Sequence, residues 1–490
     1  MNPHISALRR ALRTDLTSSL VVFLVALPLC VGVAVASGVP AELGLITGIV
    51  GGLVTGLLPG SSLQVSGPAA GLTVLVYAAV IDYGLAALGV IVLASGLLQL
   101  LLGALHLGRW FRAISLSVVQ GMLAGIGLVL IAGQLYALAD RKAPGSGTAN
   151  LTGLPGLAAD TLGSDSGLIA LTVGVAAVAV MTLWKKLPAK AQLLPGPLAA
   201  VGAATGATVL FDLPIARVEV NGLLASVQPP GSADFGRLAE LGLVGTVVAF
   251  TLIASAESLF SAAAVDRLHD GPRTDYDKEL MAQGAGNTVC GLLGALPMTA
   301  VIVRSAANVQ ASARTKLSRV LHGVWLLLFA ALLPDALGVI PTAALAGVLV
   351  HAGFKLLPVK EIGPLWREHR GEAVVLLATA LAILATNMFE GVLIGLLLAV
   401  AKTAWDTSHV HVEITDPGVG PVRISMIGNA TFLRLPRILD ALDQLPRDRS
   451  VDLNLTGLRH LDHACMTALQ SWADQHNAHS GQAVRVIRAG

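Results

Sequence analysis

The chain has 490 residues, of which 54% are hydrophobic and 13% are charged, and its formal net charge is +2. The mean hydropathy of +0.75 lies far from the profile of a soluble globular protein. The basic residues are scattered between apolar runs and form no arm or stripe, which argues against nucleic-acid binding. These properties indicate an integral membrane protein.

Apolar windows recur from residue 15 to residue 405 and are separated by short polar breaks. A helix needs about 20 apolar residues to cross the hydrocarbon core of a bilayer. The pattern therefore predicts an all-α polytopic bundle of about fourteen spans. These are residues 15–37, 41–58, 68–82, 84–106, 113–136, 166–184, 193–211, 242–266, 277–294, 300–311, 317–333, 342–353, 370–387 and 388–405.

The loops between these spans differ in their content of Lys and Arg. With a cytoplasmic N-terminus, the inner loops carry fifteen basic residues and the outer loops carry four. Because positively charged loops stay inside, this count predicts that both termini are cytoplasmic. The longest outer segments, 140–165 and 212–240, are rich in Gly, Pro, Ser and Asp, and we expect irregular loops there.

The third and tenth spans are too short to cross a membrane alone. Residues 68–82 follow the polar stretch GSSLQVSG (60–67), and residues 301–311 follow GALPMT (294–299). They are matching members of two seven-span halves, and interrupted helices at matching places in inverted halves point to a midplane binding site. Their N-terminal N–H groups would converge on an anion.

Two ionisable side chains lie within apolar sequence. Glu257 is in the middle of the run 243–264, and Arg304 follows the uncharged run 289–303. Such residues are rare in membrane spans and usually mark a solute path. Glu257 is either part of a structural pair or a carboxyl group that carries a proton with an anion. Arg304 either braces its helix or adds positive charge at an anion site.

The other candidate residues carry hydroxyl groups or lack a side chain. Ser66 and Gly67 precede a proline, which is an ordinary helix start, but before a half-helix it also leaves N–H donors facing a cavity. Thr73 lies further along the same helix. Ser258 and Ser261 lie within a turn of Glu257 and either bond helix carbonyls or take part in ion coupling. Near the following junction we expect structural caps from Asp266, Glu279, Gln283 and Asn287.

The composition changes abruptly after residue 405. Residues 409–414 alternate like a strand, residues 451–455 are expected to form a buried strand, and helical spacing occurs at 433–445 and 465–475. We therefore expect a transmembrane domain over residues 1–405 and a small α/β domain over 406–490. His409 and His411 have no third ligand nearby, so no metal site is predicted.

Four motifs in this order resemble the sulfate permease (SulP) family, whose animal relatives are the solute carrier 26 anion exchangers. The motifs are QVSGPAA (64–70), DKELMAQGAGN (277–287), RSAAN (304–308) and EGVLIG (390–395). The resemblance implies core and gate domains built from two inverted seven-helix repeats, a homodimer, and a C-terminal STAS domain. It also implies an anion held between the third and tenth helices. The opening ALP (26–28) with GVA (32–34) is more similar to the cyanobacterial bicarbonate transporters than to the sulfate carriers.

The chain departs from the family pattern at three places. Glu257 and Ile302 stand where the bicarbonate transporters use an Asp and a Thr to help hold sodium, which argues for H⁺ over Na⁺ as the coupling ion. Val301, Ile302 and Val303 stand where many relatives have hydroxyl side chains, so the anion would lean on backbone N–H groups. The tail has no Ser after Asp462, which removes the usual phosphorylation switch of STAS relatives.

The leading hypothesis is a secondary active transporter of bicarbonate or sulfate in the bacterial inner membrane, working by alternating access. The anion would contact Ser66, Gly67, Thr73 and residues 301–304, and the coupling ion would involve Glu257, Ser258 and Ser261. Alternatives are a dicarboxylate carrier of the same fold and a passive anion channel or sensor. The sequence has no Walker loop, nucleophile elbow or zinc signature, so we expect no enzyme activity and no cofactor.

Overall fold

The computed structural model describes residues 3–113, 115–188, 194–220, 222–446, 449–480 and 483–487. The chain packs as two compact units, one running to Leu396 and the other from Leu397 to the C-terminus. Helix α19 crosses from the first unit into the second. Residue 193, the predicted start of the seventh span, lies outside the described residues.

Each of the fourteen predicted windows contains a helix, which is the structure that satisfies its own backbone in apolar surroundings. Within the described residues, seven helices are long and apolar enough to cross a membrane. The helices up to residue 236 are α1 (Pro3–Ala36), α2 (Ala41–Val50), α3 (Thr73–Tyr83), α4 (Leu85–Ala104), α5 (Leu116–Leu138), α6 (Gly147–Thr152), α7 (Leu154–Leu162), α8 (Asp165–Leu183), α9 (Gly196–Leu210) and α10 (Ser232–Gly236).

The helices of the second half follow the same pattern of long spans and short connecting pieces. They are α11 (Leu241–Val265), α12 (Tyr276–Leu292), α13 (Ile302–Gln310), α14 (Leu317–Leu332), α15 (Asp335–Gly338), α16 (Thr342–Leu356), α17 (Val359–Glu368), α18 (Arg370–Ala385) and α19 (Met388–Thr407).

The first long outer segment is not irregular, so that expectation was wrong. Residues 140–165 contain the short helices α6 and α7. The hydroxyl of Ser146 accepts a hydrogen bond from Ala149 N at 3.2 Å and caps α6, and a proline occupies the first turn of α7. Ser and Pro begin helices here. Because both residue types are also common in loops, the composition of the segment cannot distinguish the two cases. In residues 212–240, the one α-helix among the described residues is α10.

The two predicted interruptions are confirmed. Strand β1 (Ser66–Pro68) pairs antiparallel with β2 (Met298–Ala300), with Gly67 opposite Thr299. Helices α3 and α13 start just after these strands and have 11 and 9 residues, so each is far shorter than a membrane is thick. The pairing places the starts of two broken helices side by side in the middle of the bundle.

Helices α4 and α12 pack against each other through small residues. A Cβ built on Gly96 would lie 2.4 Å from Thr288 N, and one built on Gly291 would lie 2.2 Å from Leu93 N. Contacts this short admit only glycine, and small residues let membrane helices approach closely. The pair forms a rigid support for the strands that α12 contacts.

The second unit contains a four-stranded sheet in the order β3–β4–β5–β6. The β3/β4 pair is antiparallel, whereas β4/β5 and β5/β6 are parallel and are connected through helices. A cluster of buried apolar residues that includes Ile424, Ile438 and Leu453 forms its core. The fold class is therefore the predicted one, an α-helical membrane bundle with a small α/β tail. The tail elements are β3 (Val410–Thr415), β4 (Val422–Ala430), α20 (Leu435–Asp443), β5 (Val451–Leu461), α21 (His463–Ser480) and β6 (Val484–Ile487).

Candidate functional site

The starts of the two broken helices have backbone donors without a partner in their own helix. A 3₁₀ turn, Ala70–Leu72, precedes α3, and Leu72 N donates to Ala69 O. The N–H groups of Ala70 and Gly71 therefore have no partner within the turn, and the same holds for the first three residues of α13. Val301 N is different because it donates to Val65 O at 2.9 Å in the strand pair. The free donors thus begin at Ile302.

These donors border one cavity of about 80 Å³, which we call the crossing cavity. Its walls come from both broken helices and from four neighbouring helices, and they are mostly apolar. Apolar walls around a few polar groups are typical of small-molecule sites. The lining residues are Leu29, Val33, Pro68, Ala70, Gly71, Met122, Leu123, Ile126, Glu257, Phe260, Ser261, Val301, Ile302, Val303, Arg304, Ala352 and Leu356.

Glu257 reaches the crossing cavity from α11. Its two carboxyl oxygens lie 2.8 and 2.9 Å from the position that a Cβ on Gly71 would occupy. Oε2 has no hydrogen-bond partner among the described residues. The glycine therefore makes room for the carboxyl group at the start of the third helix, and the group remains available to a proton or a ligand.

Arg304 is fully buried behind strand β1. Its Nη2 donates to Pro68 O at 3.2 Å, and Nη1 lies 2.0 Å from the position of a Cβ on Gly67, so a larger residue there would have to displace the guanidinium. Nε and Nη1 have no hydrogen-bond partner, and no carboxylate forms an ion pair with Arg304 in the part of the chain that the structure describes. A buried cation without a counter-ion is costly, and a nearby anion would offset that cost.

Several predicted site residues lie outside the crossing cavity. The hydroxyl of Ser66 accepts a hydrogen bond from Gln283 Nε2 at 2.7 Å, and the hydroxyl of Ser258 accepts one from Ala300 N at 3.2 Å. Gly67 contacts the guanidinium of Arg304, and Thr73 lines a different cavity. The structure thus brings together Glu257, Ser261 and residues 301–304, whereas Ser66 is part of β1 and Ser258 bonds β2.

A polar row on α12 holds both strands. Glu279 Oε2 accepts a hydrogen bond from Ser61 N at 2.7 Å, just before β1. Asn287 Oδ1 accepts one from Met298 N at 2.7 Å, and its Nδ2 donates to Met298 O at 3.1 Å. Asn287 therefore pairs with β2 as a neighbouring strand would.

These residues were expected to be caps near the cytoplasmic junction. Gln283, which lies between them in the row, links Ser66 to Glu279. The signal that could have identified the row is the spacing of 279, 283 and 287, which places three polar side chains on one helix face. Gly71 was also missed, because a glycine in an apolar run carries no such signal.

Among the described residues, no group of three or more His, Cys, Asp or Glu side chains could hold a metal ion. The arrangement instead offers backbone donors, one buried guanidinium and one carboxyl group around a small cavity. Helix N-termini of this kind bind anions.

Comparison with known proteins places this geometry in a family. The profile of the Sulfate permease family matches residues 12–379. The bicarbonate transporter BicA of Synechocystis sp. is 28% identical in an alignment of 362 positions that covers 69% of this chain and 60% of that protein. The matched part thus spans less than two thirds of that relative's length.

Solved structures share the fold. The transmembrane domain of a cyanobacterium bicarbonate transporter BicA superposes with a TM-score of 0.68 at 24% identity, covering 80% of this chain and 98% of that one. The murine solute carrier 26 family member A9 anion transporter, in the inward-facing state, superposes with a TM-score of 0.78 at 14% identity, covering 97% and 85%. Because the family profile matches well over half of the sequence, the chain belongs to the sulfate permease family.

Proposed function

We propose that the protein is a secondary active transporter that moves bicarbonate or sulfate across the bacterial inner membrane by alternating access. The observation that carries the proposal is the convergence of two half-helix starts on one small cavity that also contains Glu257 and Arg304. Backbone N–H groups at helix starts favour a negative charge. The family name and the name of BicA agree with an anion as the cargo.

In this proposal the anion is bound mainly by the N–H groups of Ala70, Gly71 and residues 302–304. The side chains at 301–303 are apolar, so they shape the cavity and exclude water without bonding the anion. Arg304 contributes a positive charge from behind the strand, as the contacts of its guanidinium with Gly67 and Pro68 suggest. Ser66, Gly67 and Ser258 would act by fixing the strands, and Ser261 by lining the cavity.

Glu257 is the proposed coupling group, and H⁺ is the proposed coupling ion. Its carboxyl group lies beside the proposed anion contact at Gly71, and Oε2 lacks a partner among the described residues. A proton bound there would remove a negative charge next to the anion, so that proton and anion bind more tightly together than alone. Such mutual stabilisation is the thermodynamic basis of symport.

The proposal is tested by uptake of labelled sulfate and bicarbonate into proteoliposomes under an imposed proton gradient. The wild-type protein should accumulate an anion above its external concentration. Glu257→Gln should lose the dependence on the gradient and still bind the anion. The matched control is Glu240→Gln, because Glu240 precedes the same helix and pairs with Arg237 at the surface. Unchanged coupling in Glu257→Gln would remove the role of Glu257.

The alternatives are separated by the same preparation. Excess fumarate that blocks uptake more strongly than excess sulfate would indicate a dicarboxylate carrier. Anion flux without accumulation would indicate a channel, and binding without flux would indicate a sensor. We further propose that both termini are cytoplasmic, that the protein is a homodimer, and that residues 1–405 and 406–490 are separate transmembrane and STAS-like domains.

A further inference from the structure

A separate cavity of about 50 Å³ lies beside the first turn of α3. Its polar lining residues are Thr73, Tyr77, Gln134 and Asn150, and none of them lines the crossing cavity. We call it the Thr73 cavity. Because Thr73 was predicted from the sequence as an anion contact in the crossing cavity, its different position calls for a separate explanation.

The hydroxyl oxygen of Thr73 has no hydrogen-bond partner among the described residues, although only 4% of the residue is exposed. Gln134 and Asn150 are also more than nine-tenths buried. Buried polar groups in proteins are nearly always bonded, so an unpaired hydroxyl facing a cavity indicates an occupant. The cavity of about 50 Å³ exceeds the roughly 10–15 Å³ that one water needs, so it has room for more than a single water.

The Thr73 cavity adjoins a route towards the crossing cavity. It shares Val74, Tyr77, Val129 and Gly145 with a larger cavity of about 330 Å³, which residues 144–147 and 386–388 border. That larger cavity in turn shares Gly71 and Ile126 with the crossing cavity. The larger cavity therefore adjoins both the Thr73 cavity and the crossing cavity.

The ring of Tyr77 and the loop at Gly145 form a fixed wall of this cavity. Gly145 has a φ of +110°, and a Cβ there would lie 2.6 Å from Tyr77 Cε1, so the position needs glycine. Gly145 N donates to Asn150 Oδ1 at 3.0 Å, which holds the loop in place. The hydrogen bond between Gly145 and Asn150 thus fixes the wall of the cavity, whereas the Thr73 hydroxyl has no hydrogen-bond partner among the described residues.

We propose that the Thr73 cavity is a second binding site for the transported inorganic anion, beside the larger cavity that adjoins the crossing cavity. This rests on the proposed function. The donors of the lining residues are the Thr73 and Tyr77 hydroxyls and the Gln134 and Asn150 amides, and no Lys or Arg is among the described lining residues. Neutral donors bind an anion more weakly than a site with a buried guanidinium, so the anion leaves this site readily for the crossing cavity.

The test is equilibrium dialysis of the detergent-solubilised full-length protein with labelled sulfate and labelled bicarbonate. The wild-type protein should show two classes of site for the transported anion. Thr73→Val, which keeps the shape and removes the hydroxyl, should weaken the weaker class about tenfold or more and leave the tighter class unchanged. Thr73→Ser keeps the hydroxyl and should retain both classes. Arg304→Ala should weaken the tighter class.

Three results would overturn the proposal. A single class of site that responds to Arg304→Ala and ignores Thr73→Val would leave the proposed function standing and show that only water occupies the Thr73 cavity. A loss of the tighter class in Thr73→Val would place Thr73 at the crossing cavity. Wild-type protein that binds neither anion would overturn the proposed function as well.

Discussion

Polar side chains on the two sides of the β1–β2 pair differ in how they are satisfied. On the α12 side, both oxygens of Glu279 accept hydrogen bonds, from Ser61 N and Gln283 Nε2, and both ends of the Asn287 amide bond Met298 in β2. The exception in this row is Gln283 Oε1, which has no partner among the described residues. On the cavity side, Glu257 and Arg304 have atoms without partners among the described residues. Both sets are costly to bury, so the difference separates groups that fix the fold from groups available to a ligand.

The largest expected effect is on the α12 side and on stability. Asn287→Leu is close in volume and leaves Met298 N, Met298 O and Gln99 Oε1 without their partner. We expect a loss of about 3 kcal/mol in the free energy of unfolding, because buried groups left unpaired cost about 1–3 kcal/mol each. The melting temperature of the purified protein measures this.

Gln120→Leu is the control for that change, because it removes an amide that bonds Glu361 at the exposed surface. Its free energy of unfolding should stay within about 0.5 kcal/mol of the wild-type value, and its melting temperature should therefore change little. If Asn287→Leu melted no earlier than Gln120→Leu, the α12 row would have no role in holding the strands.

A smaller effect is expected from a change on the cavity side, where we expect anion affinity to change and not the free energy of unfolding. Arg304→Ala removes the buried charge behind β1 and should weaken anion binding by about 2 kcal/mol, which is about thirtyfold. Isothermal titration calorimetry measures the dissociation constant. Arg367→Ala, at an exposed position on α17, is the control. An unaltered affinity in Arg304→Ala would make the residue purely structural.

The smallest effect sharpens the role of Glu257. Gly71→Ala would bring a Cβ within 2.8–3.0 Å of the Glu257 carboxyl group, which is the flexible end of a side chain and can move aside. We expect little change in melting temperature and about a threefold fall in proton-driven uptake, because the carboxyl group is pushed from its preferred rotamer. Gly202→Ala in α9 meets nothing within 4 Å and serves as the control. Equal uptake by both variants would contradict the contact.

The sequence predicted the broken third and tenth helices because the polar stretches GSSLQVSG and GALPMT interrupt apolar windows of fixed minimum length. It also predicted the α/β tail, because alternation of apolar and polar residues indicates a strand and helical spacing indicates a helix. It failed in residues 140–165, where Gly, Pro and Ser mark helix starts as readily as loops. Gly, Pro and Ser in an apolar sequence predict that a membrane span is interrupted, but they do not predict the backbone structure of the interruption.

By itself, the sequence determined the membrane class, the positions of the spans and the presence of Glu257 and Arg304 within them, because hydrophobicity and charge are carried by each residue. Only the tertiary structure decided that Glu257, Gly71 and Arg304 share a cavity, and that Ser66, Ser258 and Thr73 do not line it. These residues are brought together by strands that lie more than 200 residues apart, Ser66 opposite Ala300. The direction of each side chain depends on that pairing, which no local pattern records.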